Sequence, residues 1–451
     1  MACIRKTINF NKRASDFGVK EYASSEELVF GAWYSPDAID EIWEWYKQSG
    51  LTEVTIFPAN EETEDYFMKA LAYCKKLGIH AHIYMSNSPT GFGKDWKEVL
   101  QGYEDVVSGF DVCDEPLGDK RYSPYTNRPD IDDLHIGVDY VLQNYPDKQF
   151  TVTLWPNYAI KEQVAMPDGQ GYEEYIKKYC ETIVAKIPQG KKRWLGTDFY
   201  PYYTNRFDGG LLKNLELIQH YAKQWNAQVY LYVQVMDSKV LNWRRPNEQE
   251  IRLQYFTALA YGVRNIQIFC YQEPKLLGNN EFGYEDGEAL ITDGYTPRFD
   301  AVGNRVEGEY KRTDAYFIVQ KLNGELKALS RVYMAFRWQG VQTVLGCKRG
   351  DRDDFSALKY SLSNGKEIKS IKTDENLIVG CFEDDEGVKG YMLTNYSNPV
   401  DFKDSLVDIA FENKTRAIVC KDGEQYLVEL LDGHYRTIIK GGDGHFIIPI
   451  A

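Results

Sequence analysis

The feature that most constrains this chain is a rhythm. Between residues 28 and 330, short β-branched and aromatic runs alternate with amphipathic helical stretches, eight times in order. The runs are 28–34, 51–57, 79–85, 106–113, 150–155, 194–200, 228–234 and 264–271. The helical stretches between and after them are 37–48, 61–77, 96–102, 131–143, 172–187, 211–225, 248–261 and 310–330. Ile39, Ile42, Trp43 and Tyr46 show the helical spacing in the first, and Asp130 stands as an N-cap before the fourth. A strand followed by a helix cannot return antiparallel, so eight such units predict a parallel sheet. Closure into a (β/α)8 TIM barrel is the expected α/β fold. An open doubly wound sheet is the alternative, but no Gly-rich phosphate loop follows any strand.

After about Val332 the texture changes to short strand-like runs broken by Gly, Asn and Asp turns, including 377–382, 390–395, 406–411, 425–430 and 445–449. This predicts a small all-β, sandwich-like domain. The expected division is a polar, irregular arm at 1–27, a catalytic barrel at 28–331 and an accessory sandwich at 332–451.

Among 451 residues, 67 acidic against 53 basic side chains leave a net charge of −14, which argues against nucleic acid or an anionic membrane as partner. No apolar run reaches the roughly 18 residues of a membrane span, and the first residues lack a signal-peptide core. The eight cysteines are scattered without paired spacing and read as buried, reduced thiols of a cytoplasmic protein. The 34 Tyr and 9 Trp are many for a core alone and suit stacking on the apolar faces of sugars.

In a barrel the working face is the C-terminal end of the strands. The fourth strand ends in Asp114-Glu115-Pro116, two adjacent carboxylates and a proline that stops the strand. Strict alternation predicts that Asp114 and Glu115 point opposite ways, one into a pocket and one bracing backbone or a neighbour. The other strand ends supply Trp33 and Asp37, Asn60, Tyr84 and Asn87, Trp155 and Asn157, Asp198 with Tyr200 and Tyr202, Gln234 and Asp237, and Tyr271, Gln272 and Glu273. Carboxylates, amides and rings are the groups a carbohydrate site needs: acid and base at the anomeric carbon, grips for hydroxyls, platforms for sugar faces. Glu115 is the expected proton donor and Asp198 the second carboxylate. Trp33, Tyr84, Asp114, Trp155, Asn157, Tyr200, Gln234, Asp237, Tyr271 and Glu273 are the expected substrate contacts. Each also has a plainer reading as a packed ring, a salt bridge or a strand-end brace. His80 and His82 share a strand face in the metal-ligand pattern, but they begin strand three and no second cluster completes a site, so no metal or cofactor is expected. A homo-oligomer is compatible with the chain.

The stretches 31–36, 109–116, 198–202 with Asn214-Leu-Glu216, the strand from Tyr232 to Gln234, and the run 252–266 together resemble (β/α)8-barrel glycoside hydrolases of the clan that includes the β-galactosidases. The likeness is nearest to bacterial "DEP"-motif glycoside hydrolases. It spans roughly residues 28–330. It implies an acid/base glutamate at the end of strand four, which Glu115 matches, and a nucleophilic glutamate at the end of strand seven. There the chain has Gln234, with Asp237 three residues on. Either another carboxylate serves (Asp198, then Asp237 or Glu273), or the barrel binds sugar without cleaving it.

Overall fold

The computed structural model describes residues 5–8, 18–58, 64–239, 241–272, 287–292, 294, 298–299, 305–306, 308–348, 355–399 and 401–451. Asn60 and Glu273 lie outside the described residues.

Eight parallel strands close into a barrel: Val29–Ala32, Glu53–Ile56, His80–Tyr84, Val107–Asp114, Gln149–Leu154, Trp194–Phe199, Gln228–Gln234 and Val263–Phe269, the last pairing with the first. Each falls within a residue or two of its predicted run. Their interiors are buried on both faces, as expected of parallel strands covered outside by helices. The first helix, Asp40–Gln48, buries Ile42, Trp43 and Tyr46 and carries Asp40 and Glu41 in its first turn and Lys47 in its last, the charge order the helix dipole favours. The fourth helix begins at His135, later than predicted, with Leu134 as its N-cap. Asp130 instead caps the preceding turn, accepting the Asp133 N–H at 3.0 Å.

The barrel interior is polar at its N-terminal end. Buried Glu53 accepts from Ser108 Oγ at 2.6 Å, Gln267 Nε2 at 2.9 Å and Asn265 Nδ2 at 3.3 Å. His82 Nε2 lies 2.8 Å from Thr151 Oγ1, and burial lowers the pKa of this ring, with the charge of Glu53 opposing. The two histidines of strand three thus part company: His80 is exposed while His82 belongs to this packed network. Higher in the barrel, Gly196 makes room for the Tyr230 ring, since a Cβ there would lie 2.0 Å from Tyr230 Cζ.

By compactness the chain divides into two units, one of residues 29–245 and 265–317, the other of 1–28, 246–264 and 318–451. The second unit contains a seven-stranded and a three-stranded antiparallel sheet. They share one core that includes Leu377, Val379, Leu393, Ile409, Phe411, Val419, Ile439 and Ile447, a sandwich. Within the stretch read as an irregular arm, Arg5–Ile8 is a strand of the larger sheet, paired with Glu424–Glu429. The helix Glu248–Ala260 packs in this unit and is buried on nearly every side. Its Arg252 is neutralised by Glu325 at 2.7 Å and Asp443 at 2.9 Å. No described helix is long and apolar enough to cross a membrane. Of the described cysteines all are unpaired thiols, but Cys347 is exposed rather than buried.

Candidate active site

Strand four builds the centre of the site by breaking its own alternation. A β-bulge falls between Asp111 and Cys113 in the pairing with strand five, which brings Asp111 and Asp114 to the same side. Glu115 then adopts a left-handed backbone, φ 49°, unfavourable for any residue but glycine. Its N–H still donates to Thr153 O at 2.8 Å, so the residue is held at the strand end while its side chain is redirected. Strict alternation, on which the expected divergence of Asp114 and Glu115 rests, thus does not hold at this strand end. The two carboxyls lie near enough for the charge of one to raise the pKa of the other.

Arg128, on the loop that follows, donates from Nη1 to Glu115 O at 3.0 Å and Oε2 at 3.3 Å. Its guanidinium sits 5.0 Å from the centre of the Trp155 ring, a cation–π arrangement that orients the fork. The Glu115 side chain retains 17% of its exposure, so it is enclosed yet reachable.

Asp198, from the end of strand six, is 6% exposed, and its Oδ1 has no hydrogen-bond partner among the described residues. Burial, then the charges of Asp198 and Asp114, push Glu115 well above the ordinary carboxylate range, with Arg128 opposing. Burial, then Asp114, does the same to Asp198. Asp114 is raised by burial to about 6, again with Arg128 opposing. Beneath them Asp111 is fully buried with neither oxygen hydrogen-bonded, and burial and Asp114 raise it strongly. Three carboxyls thus stand at two strand ends on the C-terminal mouth of the barrel, each raised above the ordinary carboxylate range by burial.

Rings line that mouth. Trp33 meets Phe57, Tyr232 and Tyr84 at centroid distances of 4.8, 5.1 and 5.8 Å. Tyr200 packs on Trp243 at 4.7 Å and Phe269 at 5.3 Å. Tyr34, Phe57, Tyr84 and Trp243 are only half-buried against this cluster, leaving ring surface open to a ligand. Burial pushes the Tyr34 hydroxyl up to about 12, helped by the charge of Asp114. The indole N–H of Trp155, in a residue 8% exposed, has no acceptor among the described residues.

Other expected contacts are placed differently. Gln234 is fully buried and clamps backbone: Oε1 accepts from Tyr202 N at 2.8 Å, and Nε2 donates to Tyr202 O and Arg244 O, both at 3.0 Å. Asp237 accepts the Glu288 N–H at 2.6 Å. Tyr271 is buried outside the barrel wall, donating to Ile42 O at 3.2 Å and packing on Tyr46. Asn157 receives no such enclosure but braces the start of the helix Gly210–Gln224, donating from Nδ2 to Gly210 O at 3.0 Å. Asp37 joins Gln272 and Tyr310 at 2.7 Å each, and Asn87 receives the Gly137 N–H at 2.9 Å. Among the described residues, no group of three or more His, Cys, Asp or Glu is arranged to hold a metal.

Sequence reasoning missed Arg128, Asp111, Tyr34, Phe57, Phe269 and Trp243. Tyr34, Phe57 and Phe269 sit at strand ends beside residues that were singled out, so the strand-end rule could have found them. Arg128 lies 13 residues beyond Glu115 on a loop, and no spacing rule points to it.

No protein-family model matches the chain, and no curated protein does. Among solved structures it is similar to an α-amylase from Anoxybacillus, at 11% identity over 94% of this chain and 98% of that one, with a TM-score of 0.46. It is similar to the GH1 β-glucosidase from Exiguobacterium antarcticum, at 11% identity over 68% and 99% of the two chains, TM-score 0.41. A β-galactosidase from the haloarchaeon Halorubrum lacusprofundi gives 12% identity over 66% and 58%, TM-score 0.40. These solved structures are glycoside hydrolases, and the likeness to them is one of chain path at low identity.

Proposed function

We propose that the barrel is a glycoside hydrolase in which Glu115 protonates the departing glycosidic oxygen and Asp198 is the second carboxylate. The observation that carries this reading is the pair itself. Two enclosed carboxyls stand at the ends of different strands, each raised by burial and by neighbouring charge, at a barrel end whose ring cluster suits a sugar face. A general acid must hold its proton at the working pH, and the charge of Asp198 helps Glu115 to do so. Asp198 in its ionised form attacks the anomeric carbon or takes a proton from water. The all-β C-terminal region is assigned an accessory role, and the nearest family is proposed to be the "DEP"-motif glycoside hydrolases, with action in the cytoplasm. Replacement Glu115→Gln keeps the shape and removes the proton. It is expected to lower kcat on aryl glycosides with poor leaving groups by ~10²–10⁴-fold with an unchanged melting curve. A fully active variant refutes the assignment.

A second reading has its own support. The strand-seven position that the resemblance gives to a nucleophile holds Gln234, whose amide is committed to backbone. A barrel that binds sugars without cleaving them would release no aglycone from any member of an aryl glycoside panel.

A further inference from the structure

The loop after strand four does more than deliver Arg128. Its base is closed by the Leu117 N–H on Pro129 O at 3.0 Å and the Ile131 N–H on Leu117 O at 2.8 Å. Lys178 clamps it from outside, donating to Gly118 O at 2.7 Å and Asp132 at 2.6 Å. The tip is braced by the Tyr125 N–H on Ser123 Oγ at 3.0 Å and the Arg128 N–H on Tyr125 O at 3.1 Å. That last bond closes a four-residue turn, whose ends lie within about 7 Å, so Tyr125 stands one turn from the arginine that touches Glu115. On this tip Tyr122 and Tyr125 are 47% and 46% exposed, and Tyr360 is the one other exposed tyrosine among the described residues. Ring surface gathered in water on one braced tip marks a contact site.

Arg128 uses one edge of its fork. Nη1 donates to Glu115 O and Oε2, and the guanidinium rests 5.0 Å from the Trp155 ring centre. Nε and Nη2 have no hydrogen bond among the described residues, and the side chain keeps 32% of its exposure. The proton that leaves Glu115 goes to the glycosidic oxygen, which departs with the leaving group. What borders the Glu115 carboxyl therefore borders the leaving group. A phenol or a simple alkyl alcohol gives the free N–H edge of Arg128 nothing to bond. A sugar gives it adjacent hydroxyl oxygens and gives the tyrosine rings a C–H face.

We propose that the leaving group accepted beside Glu115 is itself a sugar, its hydroxyls taken by the free N–H edge of Arg128 and its apolar face by Tyr125 and Tyr122, so that the substrate is an oligosaccharide. The proposal rests on the hydrolase reading above and deepens it. In the step, the glycosidic C–O bond breaks and the Glu115 proton becomes the new hydroxyl of the leaving sugar. Water supplies the hydroxyl that replaces it at the anomeric carbon and the proton that restores the acid.

The test compares, on the full chain, kcat/KM for disaccharides with kcat/KM for trifluoroethyl glycosides of the same sugar and anomer, over glucose, galactose and mannose. Trifluoroethanol matches a sugar hydroxyl in acidity, so the two leaving groups differ in what they can contact. The disaccharide is expected to win by at least about tenfold, and Arg128→Lys and Tyr125→Ala are each expected to shrink that ratio several-fold. The ratio cancels the hold of Arg128 on Glu115, which acts on both substrates alike. A native ratio near one overturns the proposal and leaves the hydrolase standing. A native ratio that survives unchanged in both folded variants does the same. Should Arg128→Lys fail to fold by its melting curve, Tyr125→Ala, at an exposed position, decides. No hydrolysis of either set by the native chain overturns both readings.

Discussion

At the scale of single residues, the site is an exercise in holding protons. Glu115 occupies a backbone region that a non-glycine residue enters at a cost of roughly 1–3 kcal/mol, and such conformations persist only where the surroundings over-determine them. Here the Thr153 carbonyl and the Arg128 fork do so. The electrostatics set the expected pH dependence of kcat/KM. Activity should rise as Asp198 ionises and fall as Glu115 loses its proton, and burial displaces both limbs upward from the usual carboxylate range. A profile whose acid limb lies at an ordinary aspartate value would contradict this. Because Arg128 lowers all three mouth carboxyls, Arg128→Met is expected to move the acid limb further upward, a shift read from the same profile.

At the scale of elements, close fits carry the geometry. The Gln234 amide helps tie the end of strand seven to the loop after strand six, accepting one N–H and donating to the carbonyls of Tyr202, Arg244 and, at 3.4 Å, Met236. Gln234→Ala strands those groups and is expected to destabilise the chain by about 2–4 kcal/mol in denaturant unfolding. Gln234→Glu restores the glutamate that the family resemblance implies, yet a carboxylate cannot donate to Tyr202 O and Arg244 O. It is expected to destabilise without raising glycosidase activity, and increased turnover would show that the clamp is not its role. On strand six, Gly196→Ala sets a methyl into the Tyr230 ring. The expected loss is about 1–3 kcal/mol, measured by the same unfolding.

At the scale of the whole molecule, the buried acids couple folding to pH. Asp111 has a pKa raised far above its unfolded value, so the folded chain binds a proton that the unfolded chain releases. That contribution is fully present below the ordinary aspartate pKa and is lost as pH rises towards the raised one. The melting temperature should therefore fall from mildly acid to alkaline pH, and Asp111→Asn should flatten the slope and raise the alkaline value. A wild-type melting temperature that climbs with pH over that range would contradict the assignment. What the sequence determined is the periodic part. The eight runs and their intervening helices dictate a parallel barrel, because side-chain period and chain direction are local properties that each segment carries for itself. The strand-end positions of Glu115, Asp198, Trp33 and Tyr200 follow from the same periodicity. What the tertiary structure decided is where side chains go once a strand stops being regular. A bulge at Val112 and one left-handed residue break the alternation that periodicity assigns to Asp114 and Glu115. A loop 13 residues away brings in Arg128. Gln234 and Tyr271, equally well placed by position, are taken up by backbone carbonyls that only folding delivers. Those outcomes depend on contacts between segments far apart in the chain, and the identity of a residue does not contain its partner.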